Sequence, residues 1–169
     1  MGKDKKIGTT PKIATSTNKF KTAVDADLAG AYCPGLGAIK GSERNKFVFL
    51  NDTRNINGSA DIDSTVKKQF PNDNRWDYVV GYNDKAYFFE VHPMTEGEVS
   101  TMIAKKDWLE GFLNTKAINI NKLKRLPFFW LPTDSGCEIT PRSKKAKMLE
   151  LNNIEWRRVF INSFFSSLK

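Results

Sequence analysis

Along this chain the spacing of apolar residues switches between helical and strand periods, and each switch predicts an element. Residues 16–31 (STNKFKTAVDADLAGA) place Phe20, Val24, Leu28 and Ala31 on one helical stripe, which the Pro34 and Gly35 region ends. Lys46 to Leu50 reads as a short strand and 51–58 as a turn-rich connection. Ser59 then caps a helix over about 60–69, because Ile62, Val66 and Phe70 recur every four residues before Pro71. A long amphipathic helix is predicted over 96–114, with Val99, Met102, Ile103, Leu109 and Leu113 on one face. Leu126 to Pro132 is apolar throughout, the pattern of a buried strand, which makes the basic stretch 116–125 a connection beside the sheet. A last helix over 154–168 puts Trp156, Val159, Phe160, Phe164 and Leu168 near one stripe.

The most informative stretch is 75–93. Two β-rich runs, 76–82 and 85–92, flank Asn83 and Asp84, residues that accept the positive φ angles of a tight hairpin turn. A hairpin closed symmetrically on that pair sets Val79 opposite Phe88, Asp77 opposite Glu90 and Arg75 opposite His92, all on one side of the sheet. Directly opposed carboxylates have Cβ atoms about 4.5–5.5 Å apart and repel unless positive charge lies between them. A divalent cation supplies that charge; the plainer alternative is a solvated face shared with Arg75 and Lys85. Glu90 sits inside the run YFFEVH, where a charge directed at packed surface needs a partner. On the 96–114 helix Lys106 falls near the centre of the apolar face and Lys105 at its edge beside Phe112. Pairing with Glu110, or a stem lying along the sheet edge, accounts for either lysine structurally. In chemistry, an ammonium at the sheet end that carries Asp77 and Glu90 neutralises a phosphate or activates water.

Composition narrows the chemistry. A length of 169 residues, 40% of them hydrophobic, supports one domain with a sizeable core and leaves little for a second. One histidine, His92, and two cysteines, Cys33 and Cys137, exclude a zinc finger, a histidine cluster and a disulfide framework. Any metal is therefore held mainly by carboxylates, which points to Mg2+ or Mn2+. No apolar run matches a signal peptide or a membrane span, so a cytoplasmic protein without membrane contact and with reduced cysteines is expected. The net charge of +8 is unevenly spread: 1–22 and 141–169 each carry +5, and the middle carries −2. Basic flanks around a mildly acidic centre suit DNA or RNA bound around a carboxylate site, although solvated termini account for them more simply. The four tryptophans read as core rather than as platforms for stacked bases.

A hairpin with Asp77 on its first strand and Glu90-x-His92 at the end of its second, preceded by helix and strand and followed by helix and strand, resembles the restriction-endonuclease-like PD-(D/E)xK superfamily over about 43–134. The resemblance implies an α/β fold: a single three-layer domain over 16–169, with a central mixed sheet and an antiparallel hairpin flanked by helices, after a flexible basic segment at 1–15. It further implies magnesium-dependent phosphodiester hydrolysis, with Asp77 and Glu90 binding the metal and a lysine assisting the attacking water. Trp76 stands in place of the superfamily's proline, and His92 stands where the lysine is expected. Lys105 or Lys106 of the following helix is then the replacement, Lys105 being favoured because it reaches the carboxylates without burying its charge. Asp63 is the candidate for an additional acidic residue near the metal, and a neutral His92 for holding or accepting a water proton. Loss of the lysine from its usual place favours a different function on the same fold, a noncatalytic nucleic-acid- or protein-binding module. A cysteine or serine hydrolase ranks last, having no nucleophile elbow and a lone histidine followed by Pro93.

Overall fold

The computed structural model describes residues 17–48, 53–133 and 136–161. The segment 1–15, the end of the expected strand at 49–50 and the 162–168 part of the last expected helix lie outside the described residues. In chain order the elements are α1 (Lys19–Asp27), β1 (Tyr32–Cys33), β2 (Phe47–Val48), β3 (Ile56–Asp61), α2 (Ile62–Val66), β4 (Tyr78–Tyr82), β5 (Lys85–Val91), α3 (Val99–Thr115), α4 (Ile118–Leu123), β6 (Phe128–Leu131), α5 (Lys144–Leu151), β7 (Ile154–Trp156) and β8 (Phe160–Ile161). Six strands form one mixed sheet in the order β1-β3-β4-β5-β6-β7, and β2 pairs with β8 separately.

The hairpin at its centre keeps the register read from the sequence. Asn83 and Asp84 take φ of 50° and 56°, and Tyr78, Val79, Val80, Gly81 and Tyr82 pair with Phe89, Phe88, Tyr87, Ala86 and Lys85. β1, β3 and β4 are antiparallel to their neighbours, whereas β6 and β7 run parallel to β5. Gly81 admits α1 to the sheet: a Cβ there would stand 2.3 Å from the Phe20 ring.

Several elements depart from the periodicity. Residues 57–61, expected as turn and helix start, are strand β3, with Ser59 and Ala60 buried between β1 and β4. The Ser59 hydroxyl accepts the Ala38 N–H at 3.1 Å instead of capping a helix; Asp61 caps the shorter α2 by accepting from the Ser64 N–H at 2.7 Å. The first helix ends near Leu28, before the expected 31. The basic stretch 116–125 contains α4, whose Asn119 side chain and Ile120 N–H are bound by Asp27 of α1, a partner remote in sequence. Ser143 caps α5, which the sequence reading does not contain. In place of a helix from 154, Ile154 to Trp156 pair with β6 and Phe160 with β2, so sheet partners outweigh the helical spacing of Trp156 and Phe160.

Two cores cover the sheet. Phe20 and Val24 of α1, Ile62 of α2, Met102 and Leu109 of α3, Ile120 of α4 and Leu149 of α5 pack with Val79, Phe88, Phe128 and Trp130 on one face. On the other, Tyr78, Val80, Phe89, Val91, Phe129 and Leu131 are covered by Ile39, Phe47 and Phe160. The fold is α/β with three layers, but among the described residues helices form only one outer layer; the β2–β8 pair and the chain leading to it form the other. Strand alternation assigns Glu90, between Phe89 and Val91, to the helix side. Among the described residues no helix is long and apolar enough to cross a membrane.

Candidate active site

The site forms where the hairpin opens. β5 continues alongside β6, pairing Glu90 with Trp130 and Val91 with Leu131. The chain before β4 turns instead toward α2, and the Asp77 carbonyl accepts the Ile62 N–H at 2.8 Å. Beyond Tyr78 and Phe89 side chains therefore take over from the backbone ladder. The Asp77 N–H donates to Glu90 Oε2 at 3.0 Å, and the Val91 N–H donates to Asp77 Oδ2 at 2.9 Å. Each carboxylate is fixed by the main chain of the opposite strand, which is the cross-strand neighbourhood expected of positions 77 and 90.

Lys105 enters from α3. Its Nζ lies 2.6 Å from Glu90 Oε1 and donates to the Arg75 carbonyl at 2.8 Å. The neighbouring Lys106 points elsewhere, to Asp107 at 2.7 Å and Glu110 at 3.2 Å. Burial alone would depress its pKa, but those two carboxylates outweigh it and raise the value. Of the two lysines expected near the site, the structure brings only Lys105 to it.

Burial of a charge dominates the electrostatics. The Glu90 side chain is 1% exposed, and desolvation followed by repulsion from Asp77 pushes its pKa up to about 8 against the pull of Lys105 and the Asp77 N–H. Asp77 is also raised by burial, opposed by the Val91 N–H and Lys105. His92 stands at the rim, with Nε2 3.0 Å from Glu98 Oε2 and Nδ1 4.0 Å from Glu90 Oε1. That contact with His92 lowers the pKa of Glu98.

One expectation is corrected. Arg75 does not face His92, because β4 begins only at Tyr78 and the Arg75 guanidinium folds back to Asp63 at 2.8 Å and the Pro71 carbonyl at 3.1 Å. The Asp63 carboxylate serves Arg75, whose carbonyl holds Lys105, while the Asp63 N–H donates to the Asp77 carbonyl at 3.4 Å. On the opposite face of the sheet the Tyr78 hydroxyl donates to Glu43 Oε2 at 2.7 Å. Glu43 adds negative charge and Lys40 positive charge around Asp77. Both lie in a segment without periodicity, and nothing in the sequence links them to position 77.

Among the described residues no three His, Cys, Asp or Glu side chains converge on a metal position. Two hard carboxylates on facing strands nevertheless fit a magnesium-type ion, which keeps much of its own water and commonly takes only one or two protein carboxylates together with substrate phosphate. Compared with family models, curated proteins and solved structures, the chain matches none.

Proposed function

We propose that the chain is a Mg2+- or Mn2+-dependent phosphodiesterase of the restriction-endonuclease-like kind, acting on DNA or RNA in the cytoplasm. The observation that carries this reading is the Lys105 ammonium 2.6 Å from Glu90, which is itself cross-bonded to Asp77. Two carboxylates and a lysine from three elements meet at the open end of a hairpin, and the 1% exposure of Glu90 speaks against an ordinary solvated pair. Asp77 and Glu90 would hold the cation. When bound, it supplies Lewis acidity toward the phosphoryl group and the attacking water. Lys105, tethered through the Arg75 carbonyl, donates to developing phosphoryl charge. His92, oriented by Glu98, keeps Nδ1 toward Glu90, where it can take up a proton.

The same ion pair favours the noncatalytic module as second reading, since Lys105 neutralises Glu90 without any metal. Thermal melting and cleavage assays separate them. Millimolar magnesium or manganese is expected to raise the melting temperature of the wild type, but not of Asp77→Asn or Glu90→Gln, because a ligand of the folded state stabilises it by mass action. Metal-dependent cleavage of mixed DNA and RNA should follow the same pattern. An unshifted melting temperature together with intact substrates overturns the phosphodiesterase reading in favour of the binding module.

A further inference from the structure

Parallel pairing carries the Glu90 row across two more strands. Glu90 pairs with Trp130, and Trp130 pairs with Trp156, so the three positions lie in line with their side chains on the helix side of the sheet. Neighbouring strands are about 4.8 Å apart, which sets the Cα atoms of Glu90 and Trp156 about 10 Å from each other. The middle residue is structural: Trp130 is fully buried and its Nε1 donates to the His92 carbonyl at 3.1 Å. Trp156 is only half-buried and lines a cavity of about 510 Å3 together with Arg157, Arg158, Val159, Ile139 and Pro141.

One wall of the cavity is tied by backbone pairing to the chain that leaves the site. Met94, two residues after His92, forms a parallel bridge with Cys137, another lining residue, and the Glu138 N–H donates to the Met94 carbonyl at 2.9 Å. Its charge is one-sided. Among the described residues no carboxylate lines it, whereas a second cavity that also contains Trp156 and Arg157 includes Glu150 and Glu155. Arg157 is paired with Glu155, but Arg158 is exposed and forms no ion pair among the described residues.

We infer that this cavity is a subsite for an unpaired nucleotide of a single strand entering the Asp77–Glu90 site, with the base on Trp156 and the adjoining phosphate on Arg158. An aromatic ring and an exposed guanidinium, in a wall without acids among the described residues, match the two parts of a nucleotide, and a base reaches such a ring only when it is not in a duplex. The assignment rests on the nucleic-acid reading above, and it makes Trp156, unlike the buried Trp76 and Trp130, more than a core residue.

Fluorescence anisotropy of labelled oligothymidylate and oligouridylate, titrated with the full chain in EDTA at several salt concentrations, tests the subsite without cleavage. Arg158→Ala is expected to weaken binding several-fold and to reduce the slope of log affinity against log salt by about 0.7, the share of one single-strand phosphate. Trp156→Leu should weaken it about tenfold without changing that slope, and Lys85→Ala at the far end of β5 should change neither quantity. Arg158 is exposed, so its variant remains informative if Trp156→Leu fails to fold. Wild-type affinity and slope in Arg158→Ala overturn the subsite, as does a wild type that binds neither oligonucleotide. Arg158-dependent binding without metal-dependent cleavage leaves the subsite standing and removes the phosphodiesterase reading alone.

Discussion

The two ends of the β4–β5 hairpin place aspartates in opposite circumstances. At the turn, the Asp84 carboxylate accepts the Lys19 N–H at 3.1 Å and the Asn57 side-chain amide at 3.2 Å, while its own N–H donates to Asn57 Oδ1 at 2.7 Å. The ladder beside it is closed to the last pair, Tyr82 with Lys85. At the open end the ladder stops, and a half-buried Asp77 and a fully buried Glu90 take the places of backbone acceptors. A carboxylate at the turn finishes a structure that the backbone has already made. At the open end two carboxylates and a lysine replace it, and the pKa shift of Glu90 records the electrostatic work stored there.

The largest expected effect breaks this contrast at Glu90. A carboxyl whose folded-state pKa is raised favours folding fully below its unfolded value, and loses that advantage as pH rises through the folded value. For Glu90 the window runs from the ordinary 4.5 to about 8. Urea unfolding of the wild type should therefore show falling stability across it, by up to about 1.4 kcal/mol per pH unit. Glu90→Gln loses the ion pair with Lys105 but should flatten the profile, so that its stability relative to the wild type rises between pH 5 and pH 8 by about 3–4 kcal/mol. A wild-type profile already flat between pH 5 and 8 would show that no such work is stored. Near the turn, steric fit rather than charge governs: Gly81→Ala drives a methyl into Phe20 and should lose about 1–3 kcal/mol at every pH, again read from urea unfolding. The smallest stability effect is expected one residue from the site. Lys106→Leu should stay within about 1 kcal/mol of the wild type or exceed it, and keep metal-dependent cleavage, while Lys105→Ala abolishes cleavage. A dead Lys106→Leu beside an active Lys105→Ala reverses the roles of the two lysines.

The hairpin was legible because its information is local. Asn83 and Asp84 tolerate positive φ, the flanking residues suit strands, and a symmetric turn fixes every partner out to the last ladder pair. Helical phase likewise distinguished Lys105 from Lys106. What stayed hidden depends on remote partners. Asp27 completes the start of α4, β1 and β4 make a strand of the Asn57-Gly58-Ser59 stretch, and β6 extends a segment whose apolar spacing also suits a helix. Within that stretch Gly58, at φ 138°, leaves room for the Tyr32 ring, a demand set by tertiary contact rather than by neighbours in the chain. The ion pair of Asp63 was hidden for a similar reason: its helix lies within the expected span, but its partner Arg75 turns back only because β4 starts late.

The β2–β8 pair joins Phe47 to Phe160, and both rings pack against Phe89, with centroids 5.0 and 4.8 Å away. A nascent chain emerging from the ribosome can thus close the hairpin and begin the helical layer long before Phe160 arrives. During that interval Phe89 and Phe129 lack one side of their aromatic cluster. The helical face is built from segments made early and late alike, but the other face waits on residues 160–161, which makes it the stretch of surface that a chaperone would meet during synthesis.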